Sequence, residues 1–343
     1  MNNPVALSQA KIVLDACYGM EIEKASDGLS ELKTSFPNHP VISFLEAFLI
    51  YWEYFPLYPD HPKAEEFIFL MEDCIVESEE WLKNSDEMEA QFFDLFGRAF
   101  FIMFWADNGK SAKVFPHINT LYHHTLEGFD IMNEFNEYYF TTGLYNYYIE
   151  AYSEKHPVYK PIVRFFRDGN EDLGLEQLKY CAENATFLRV DSKLFLSLIY
   201  LNYENNIDSA SIYAAQLYNE FPNNTYYAGR YLEILLLNKK YFFAPIVLKH
   251  LKNAKGDFAS MQYDLFMAAF LEKKAKKYEE AIILYKKALS SSMSFGPVTE
   301  KYTALAYMGL GRVEVLKGNY GKSKKYFREA KKNTSYDYIL EDR

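Results

Sequence analysis

Residues able to do chemistry are thinly scattered along the 343-residue chain. Two stretches, GNYGKS (318–323) and NGKSAK (108–113), end as a phosphate-binding loop does. Such a loop needs a glycine five residues before its Gly-Lys-Ser, so that successive backbone amides can curl around a phosphate. Those positions hold Leu316 and Phe104, and neither stretch follows a strand-like run. Both are rejected as phosphate sites, and the first reads as a turn between two helices. His117, His123 and His124 cluster, and His123 shares a helical face with Glu127 at i, i+4. Two such groups can contribute metal ligands, but a structural or catalytic centre takes three or four. No HExxH occurs, so an exposed helix end accounts for the cluster and no metal is expected. Cys17, Cys74 and Cys181 are odd in number, far apart and without CxxC spacing; they read as small buried apolar residues that suit a reducing compartment. The paired acids Glu79/Glu80 and Glu87/Glu89 lie in a strongly acidic helical region and read as solvated face. Ser–His–Asp and Cys–His sets assemble only in space, but no GxSxG nucleophile elbow is present. The sequence therefore points to a non-enzymatic protein without a cofactor.

The elements that carry these residues are helical. Apolar residues make up 49% of the chain, with only twelve prolines and fifteen glycines, the balance of an ordered, core-building sequence. No stretch alternates in the manner of a strand, and essentially no sheet is expected. The start lacks a basic run followed by an apolar block, so a cytoplasmic protein is expected; a periplasmic one stays open if a signal peptide was removed. The most apolar run, FLEAFLIYWEYF (44–55), is interrupted by Glu46 and Glu53 and is too short to span a bilayer, so no membrane insertion is expected. The net charge of −10 hides a gradient. Residues 1–150 carry 8 Lys/Arg against 25 Asp/Glu, residues 151–250 balance at 11 against 11, and residues 251–343 carry 18 against 11. Solvated helix faces explain this, and a dipolar molecule that stacks head to tail is the functional alternative, which leaves a homo-oligomer open. Without Arg-rich motifs, an acidic chain with a short basic end is a poor fit to nucleic acid.

Repeats give the clearest organisation. In KKYEEAIILYKKAL (276–289), Tyr278, Ala281, Tyr285, Ala288 and Leu289 follow the 3/4 spacing of one helical face. YFFAPIVLKHL places Tyr241 and Ala244 in matching order, and NIDSASIYAAQLYNEFP places Ala210 and a terminating Pro222; Ala210 to Ala244 is 34 residues. GLGRVEVLKGNYGKSKKYFREA adds Gly311, Gly318, Tyr320, Ser323, Phe327 and Ala330, with about eight residues inserted near SSSMSFGP. These stretches resemble the tetratricopeptide repeat superfamily, in which a small residue sits where helix B crosses helix A. The resemblance implies an all-α fold, a right-handed α-α superhelix (TPR solenoid) of antiparallel helix pairs. A weaker fifth pair joins NEYYFTTGLYNYYIEAY (136–152), with Gly143 at the crossing, to GNEDLGLEQLKYCAEN, with Gly174 and Cys181 in the small positions. An insertion at about 153–170, containing Pro157 and Pro161, separates its two helices. The order of these pieces over roughly 130–250 also resembles bacterial relatives of the tetratricopeptide repeat protein 39 family.

The N-terminal part is helical by the same criteria. GMEIEKASDGLSELKTSFP aligns as a helix B with Ala25, Leu29 and Pro37 in place. Residues 62–82 and 86–105 read as two helices, the second capped by Ser85 or Asn84. We divide the chain into an acidic helical module, 1–135, and a repeat array, 136–343.

The superfamily uses the concave groove lined by its A helices as a binding surface. Carried over by motif position, the groove would be lined by Phe140, Tyr147, Tyr148, Phe195, Asn202, Tyr203, Tyr226, Glu233, Tyr263, Phe266, Phe270, Lys273 and Arg312. Members that grip acidic chaperone tails carry a Lys and an Asn one turn apart; the matching pairs here are Phe195/Ile199, Gly229/Glu233, Phe266/Phe270 and Met308/Arg312. That clamp is absent, and recognition of a tail carboxylate is disfavoured. What the resemblance leaves is a scaffold that binds a protein or peptide through a tyrosine-rich groove, since tyrosine offers area and a hydroxyl at low entropic cost. The alternative is an exported or periplasmic binding module for a glycan or other small ligand. Whether the groove is open, or filled by the chain's own N-terminal helices or C-terminal tail, is left to the fold.

Overall fold

Each stretch with apolar residues three and four apart closes into a helix, and turn residues separate one helix from the next. The computed structural model describes residues 4–84, 88–155 and 164–342, and among these residues it contains seventeen α-helices and no strand. Ser85, Glu87, Pro157 and Pro161 lie outside the described residues. The fold is all-α, built from helices most of which pack on their chain neighbours. The chain divides into two compact units, residues 1–196 and 197–343, and the boundary expected at 135/136 falls inside the first.

The first unit runs through α1 (Pro4–Tyr18), α2 (Ile22–Ser35), α3 (Val41–Glu53), α4 (Ala64–Leu82), α5 (Met88–Asp107), α6 (Phe115–Ile131), α7 (Tyr138–Lys155) and α8 (Glu171–Asn184). Helix α9 (Arg189–Asn202) begins in this unit. From α1 to α8 every helix packs against its predecessor, and α1 also reaches α3. Ala25 and Leu29 are buried on α2, as expected for a helix B. The aromatic content builds the core: Phe44 meets Phe96 at 4.6 Å between ring centroids, and Phe67 meets Phe104 at 4.9 Å.

The fifth expected helix pair is α7 with α8, and its two glycines meet. A Cβ on Gly174 would lie 2.7 Å from the Tyr147 backbone nitrogen and 2.8 Å from the Gly143 carbonyl oxygen. A Cβ on Gly143 would lie 3.1 Å from the Gly174 carbonyl. Backbone thus rests on backbone, which only glycine permits. Asn170 caps α8 by accepting from the Leu173 amide. Residues 164–170 return along α7: the Tyr145 hydroxyl donates to the Arg167 carbonyl at 2.7 Å, and the Arg167 guanidinium lies 3.8 Å from the Phe129 ring centre.

The second unit holds α10 (Ile207–Glu220), α11 (Thr225–Leu237), α12 (Ala244–Asn253), α13 (Asp257–Phe270), α14 (Tyr278–Ser294), α15 (Glu300–Leu316), α16 (Tyr320–Asn333) and the single turn α17 (Asp337–Leu340). Ala210, Ala244, Ala281 and Ser323, the small positions of the repeat, are all buried. The residues inserted near SSSMSFGP extend α14 to Ser294 and form a short 3₁₀ turn at Gly296–Thr299. GNYGKS is the turn into α16, with Gly318 at φ +77°. Alternate helices α11, α13 and α15 pack side by side, and this brings their inward side chains together.

Candidate functional site

Helix α11 (TYYAGRYLEILLL) carries only two charged residues, Arg230 and Glu233, and its cap fixes where they point. The Asn224 side chain accepts from the Tyr226 and Tyr227 amides and sets the first turn. Three residues apart on one face, Arg230 and Glu233 both turn inward, at 3% and 2% exposure. Arg230 Nη1 donates to Glu233 Oε2 at 3.1 Å, and Lys301 of α15 donates to the same oxygen at 2.5 Å. The other oxygen, Oε1, accepts from the Tyr338 hydroxyl of α17 at 2.9 Å. Burial pushes the Glu233 carboxyl up from its ordinary range, against the pull of Arg230 and the Tyr338 hydrogen bond.

A second charged group lies at the end of α13. There the helix widens into a π turn at Leu271–Ala275, closed by Lys276 in the left-handed region at φ +58°. This turn buries Glu272 and brings Lys273 beside it. Arg312 of α15 grips Glu272 with two parallel bonds, Nε to Oε1 at 2.7 Å and Nη2 to Oε2 at 2.8 Å. Its remaining nitrogen, Nη1, donates to the Asp342 side chain at 3.0 Å and to the Asp342 carbonyl at 2.9 Å. Lys273 closes on the same Asp342 carboxylate at 2.6 Å. Burial opposes the charged carboxylate, but Arg312 and Lys273 outweigh it and hold Asp342 below the usual range, so this contact stays ionised near neutral pH.

Residues 336–342 therefore lie in the face formed by α11, α13 and α15. Tyr338 packs on the core around Leu201, Ala210, Ala214 and Ile234, and Ile339 is buried with Ala304, Met308 and Ala330. In this unit the expected groove face is occupied by the chain itself.

Of the thirteen residues expected to line a groove, Glu233, Phe266, Lys273 and Arg312 converge on one pocket that Asp342 also lines. Tyr226, Tyr263 and Phe270 are half-buried on the same helices, Tyr203 is half-buried, and Asn202 is buried. In the first unit Tyr147 has no exposed surface and Phe140 is 6% exposed, with the Phe140 ring edge-on to half-buried Phe195 at 5.4 Å. Their rings are core, and Tyr148 is half-buried beside Tyr147. Arg230, Glu272, Lys301, Tyr338 and Asp342 were not anticipated. A charged i, i+3 pair inside an apolar helix was the one available signal for Arg230.

The histidines also differ from expectation. They do not form an exposed helix end, because His124 lies inside a polar cluster between α5 and α6. Asp94, fully buried, accepts from Arg98 Nε at 2.9 and 3.0 Å and from His124 Nε2 at 2.9 Å. His124 Nδ1 faces Glu127 at 3.0 Å, so Glu127 pairs with His124 rather than sharing a site with exposed His123. Arg98 Nη2 bonds Glu79, and Nη1 lies 3.2 Å from His117 Nδ1. Glu89 faces His39 at 3.1 Å. Glu79 thus pairs with Arg98 while staying half exposed, and Glu89 faces His39 rather than solvent alone. Both His124 nitrogens meet carboxylates, which leaves none to activate a nucleophile. Among the described residues no three or more His, Cys, Asp or Glu side chains are grouped to hold a metal, and no helix is long and apolar enough to cross a membrane.

No family model and no curated protein matches the chain. Among solved structures it is similar to a human IFIT1 dimer with PPP-AAAA, at 13% identity over 95% of this chain and 94% of that one, with a TM-score of 0.41. It is also similar to a monomeric IFIT1 mutant with Gppp-AAAA, at 14% identity over 91% and 77% of the two chains, again with a TM-score of 0.41. At that level neither likeness bears on what this chain binds.

Proposed function

We propose that this chain is a non-enzymatic helical-repeat scaffold whose second unit binds a protein or peptide segment on the α11–α13–α15 face. One observation carries the reading: residues 336–342 already dock there as a ligand would. Tyr338 gives its ring to an apolar cluster and its hydroxyl to Glu233, while Asp342, four residues on, gives its carboxylate to Arg312 and Lys273. A partner segment of the same chemistry, an aromatic residue followed about one helical turn later by an acid, fits the same receptor. Glu233, Phe266, Lys273 and Arg312 are the contact residues of this reading. The kinship with bacterial relatives of the tetratricopeptide repeat protein 39 family belongs to the same proposal.

The test loosens the intramolecular segment and offers it back in trans. A labelled peptide SYDYILED, residues 335–342, is titrated into the full chain carrying Tyr338→Ala and Asp342→Ala, with helicity checked by circular dichroism. The loosened chain should bind the peptide with a Kd of roughly micromolar order. The intact chain should bind at least about tenfold more weakly, because its own segment competes at high effective concentration. Adding Arg312→Ala to the loosened chain should abolish binding. If the loosened chain ignores the peptide, or Arg312→Ala leaves the affinity unchanged, the face is packing and the reading fails.

A further inference from the structure

Arg98, Arg230 and Arg312 are largely withdrawn from solvent, and they are not used alike. The Nε–H and Nη2–H bonds of a guanidinium are parallel and form the edge that takes a two-oxygen anion side-on. In Arg98 that edge is filled by Asp94 and Glu79. In Arg312 it is filled by both oxygens of Glu272. In Arg230, buried to 3% exposure, only Nη1 is bonded, and Nε and Nη2 have no hydrogen-bond partner among the described residues. Leaving charged donors unmet in the interior is costly, and such groups are normally satisfied by protein, water or a ligand.

We infer that the Nε/Nη2 edge of Arg230 is a receptor for a carboxylate brought by a ligand. Charge favours a monoanion. Arg230 and Lys301 set two positive charges against the single carboxylate of Glu233, an excess of one. A doubly charged phosphate or sulfate would leave one negative charge uncompensated beside Glu233. The phenol groups of Tyr226, Tyr302 and Tyr338 are near enough to act electrostatically on the guanidinium. Glu233, bonded to Arg230 through Nη1, also lines the pocket that Asp342 lines. This site does not require residues 336–342 to leave, and its success or failure is separate from that of the peptide reading.

The experiment follows the Arg230 Nε–H signal by NMR in full-length protein labelled with ¹⁵N-arginine, the signal being assigned by its loss in Arg230→Lys. Sodium propionate, sodium sulfate, and a short peptide with either a free or an amidated C-terminus are titrated at constant ionic strength. Saturable movement with propionate, and none with sulfate, assigns a small-carboxylate site. Movement with the free-acid peptide alone assigns a peptide carboxylate. In thermal melts the wild type should be stabilised by the same probe, and Arg230→Lys, which keeps the charge and loses the fork, should weaken its apparent affinity at least about tenfold. An Arg230 signal that no carboxylate moves would overturn the site; the edge would then be met internally, for instance by the Gln262 Oε1, which also lacks a partner. Equal response to sulfate, or an unchanged response in Arg230→Lys, overturns it as well.

Discussion

Two buried charge clusters, one in each unit, solve the same electrostatic problem to different degrees. Between α5 and α6, Arg98 has every nitrogen engaged, and the carboxylate that faces it, Asp94, is shared with His124. On α11, Arg230 has a single bond, while Glu233 draws on Arg230, Lys301 and Tyr338 at once. The first cluster is closed at its centre: Asp94, Arg98 and His124 are each held by others of the same unit, while Glu79 and Glu127 at its rim reach solvent. The second is over-supplied with donors, and its acceptor is held partly by a seven-residue segment that returns from the far end of the unit. Full satisfaction marks structure, and an unmet donor edge calls for a partner, which on our proposal a ligand supplies.

The sharpest way to break this contrast is one substitution made twice. Arg98→Met strands a fully buried Asp94 with only His124 as partner, and should cost about 3–5 kcal/mol in urea denaturation. Arg230→Met removes a guanidinium that is already two-thirds unmet and leaves Glu233 with Lys301 and Tyr338. It should change stability by no more than about 1 kcal/mol in either direction. Equal losses at the two positions would mean that the Arg230 edge is satisfied in solution by the protein itself.

Next in size come the glycines, which draw the same line in packing. At Gly174 an added methyl meets backbone, the Tyr147 nitrogen at 2.7 Å, and neither helix can yield without moving the other. Gly174→Ala should cost about 3 kcal/mol. At Gly229 the methyl meets the end of the Gln262 side chain, which can rotate, and the better helix propensity of alanine contributes up to about 1 kcal/mol in return. Gly229→Ala should therefore be close to neutral in the same denaturation series, and a loss as large as at Gly174 would show that Gln262 is fixed.

The glycine and alanine positions were legible in the sequence because a helix crossing is a local, periodic constraint. Gly143, Gly174, Ala210 and Ala281 could be located by spacing, and with them the helix pairs. Density of tyrosine in 136–152 was equally visible, but its meaning was not: whether Tyr147 faces a ligand or α8 depends on a helix that begins nineteen residues after that stretch ends. The site was hidden for the same reason on a larger scale. Tyr338 and Glu233 are 105 residues apart, and Arg312 reaches Glu272 across 40. No local pattern encodes such pairs, and a carboxylate grip sought as Lys and Asn one turn apart was missed when built from Lys273 and Arg312 on different helices.

The smallest effect separates the clusters by pH. Burial alone would lower the His124 pKa, but its hydrogen bonds to Asp94 and Glu127 outweigh burial and raise it above the usual histidine range. A group whose folded pKa lies above its unfolded one contributes stability that is complete below the unfolded value, about 6.5, and is lost as pH rises through the folded value. His117 shifts the other way, lowered first by burial and then by Arg98, so the total profile mixes the two and only a difference between variants isolates His124. The stability gap between wild type and His124→Gln should be widest near about pH 6 and narrow by about pH 8.5, read from urea midpoints across that range. On the Arg230 side, Asp342 is held below the usual carboxylate range by Arg312 and Lys273 and adds no titration in this window, so Asp342→Asn should lower stability by the same amount at either pH. A gap at His124 that is flat with pH would mean that its imidazole is neutral in the fold, with one carboxylate hydrogen bond rather than two, and the first cluster would then be as incompletely satisfied as the second.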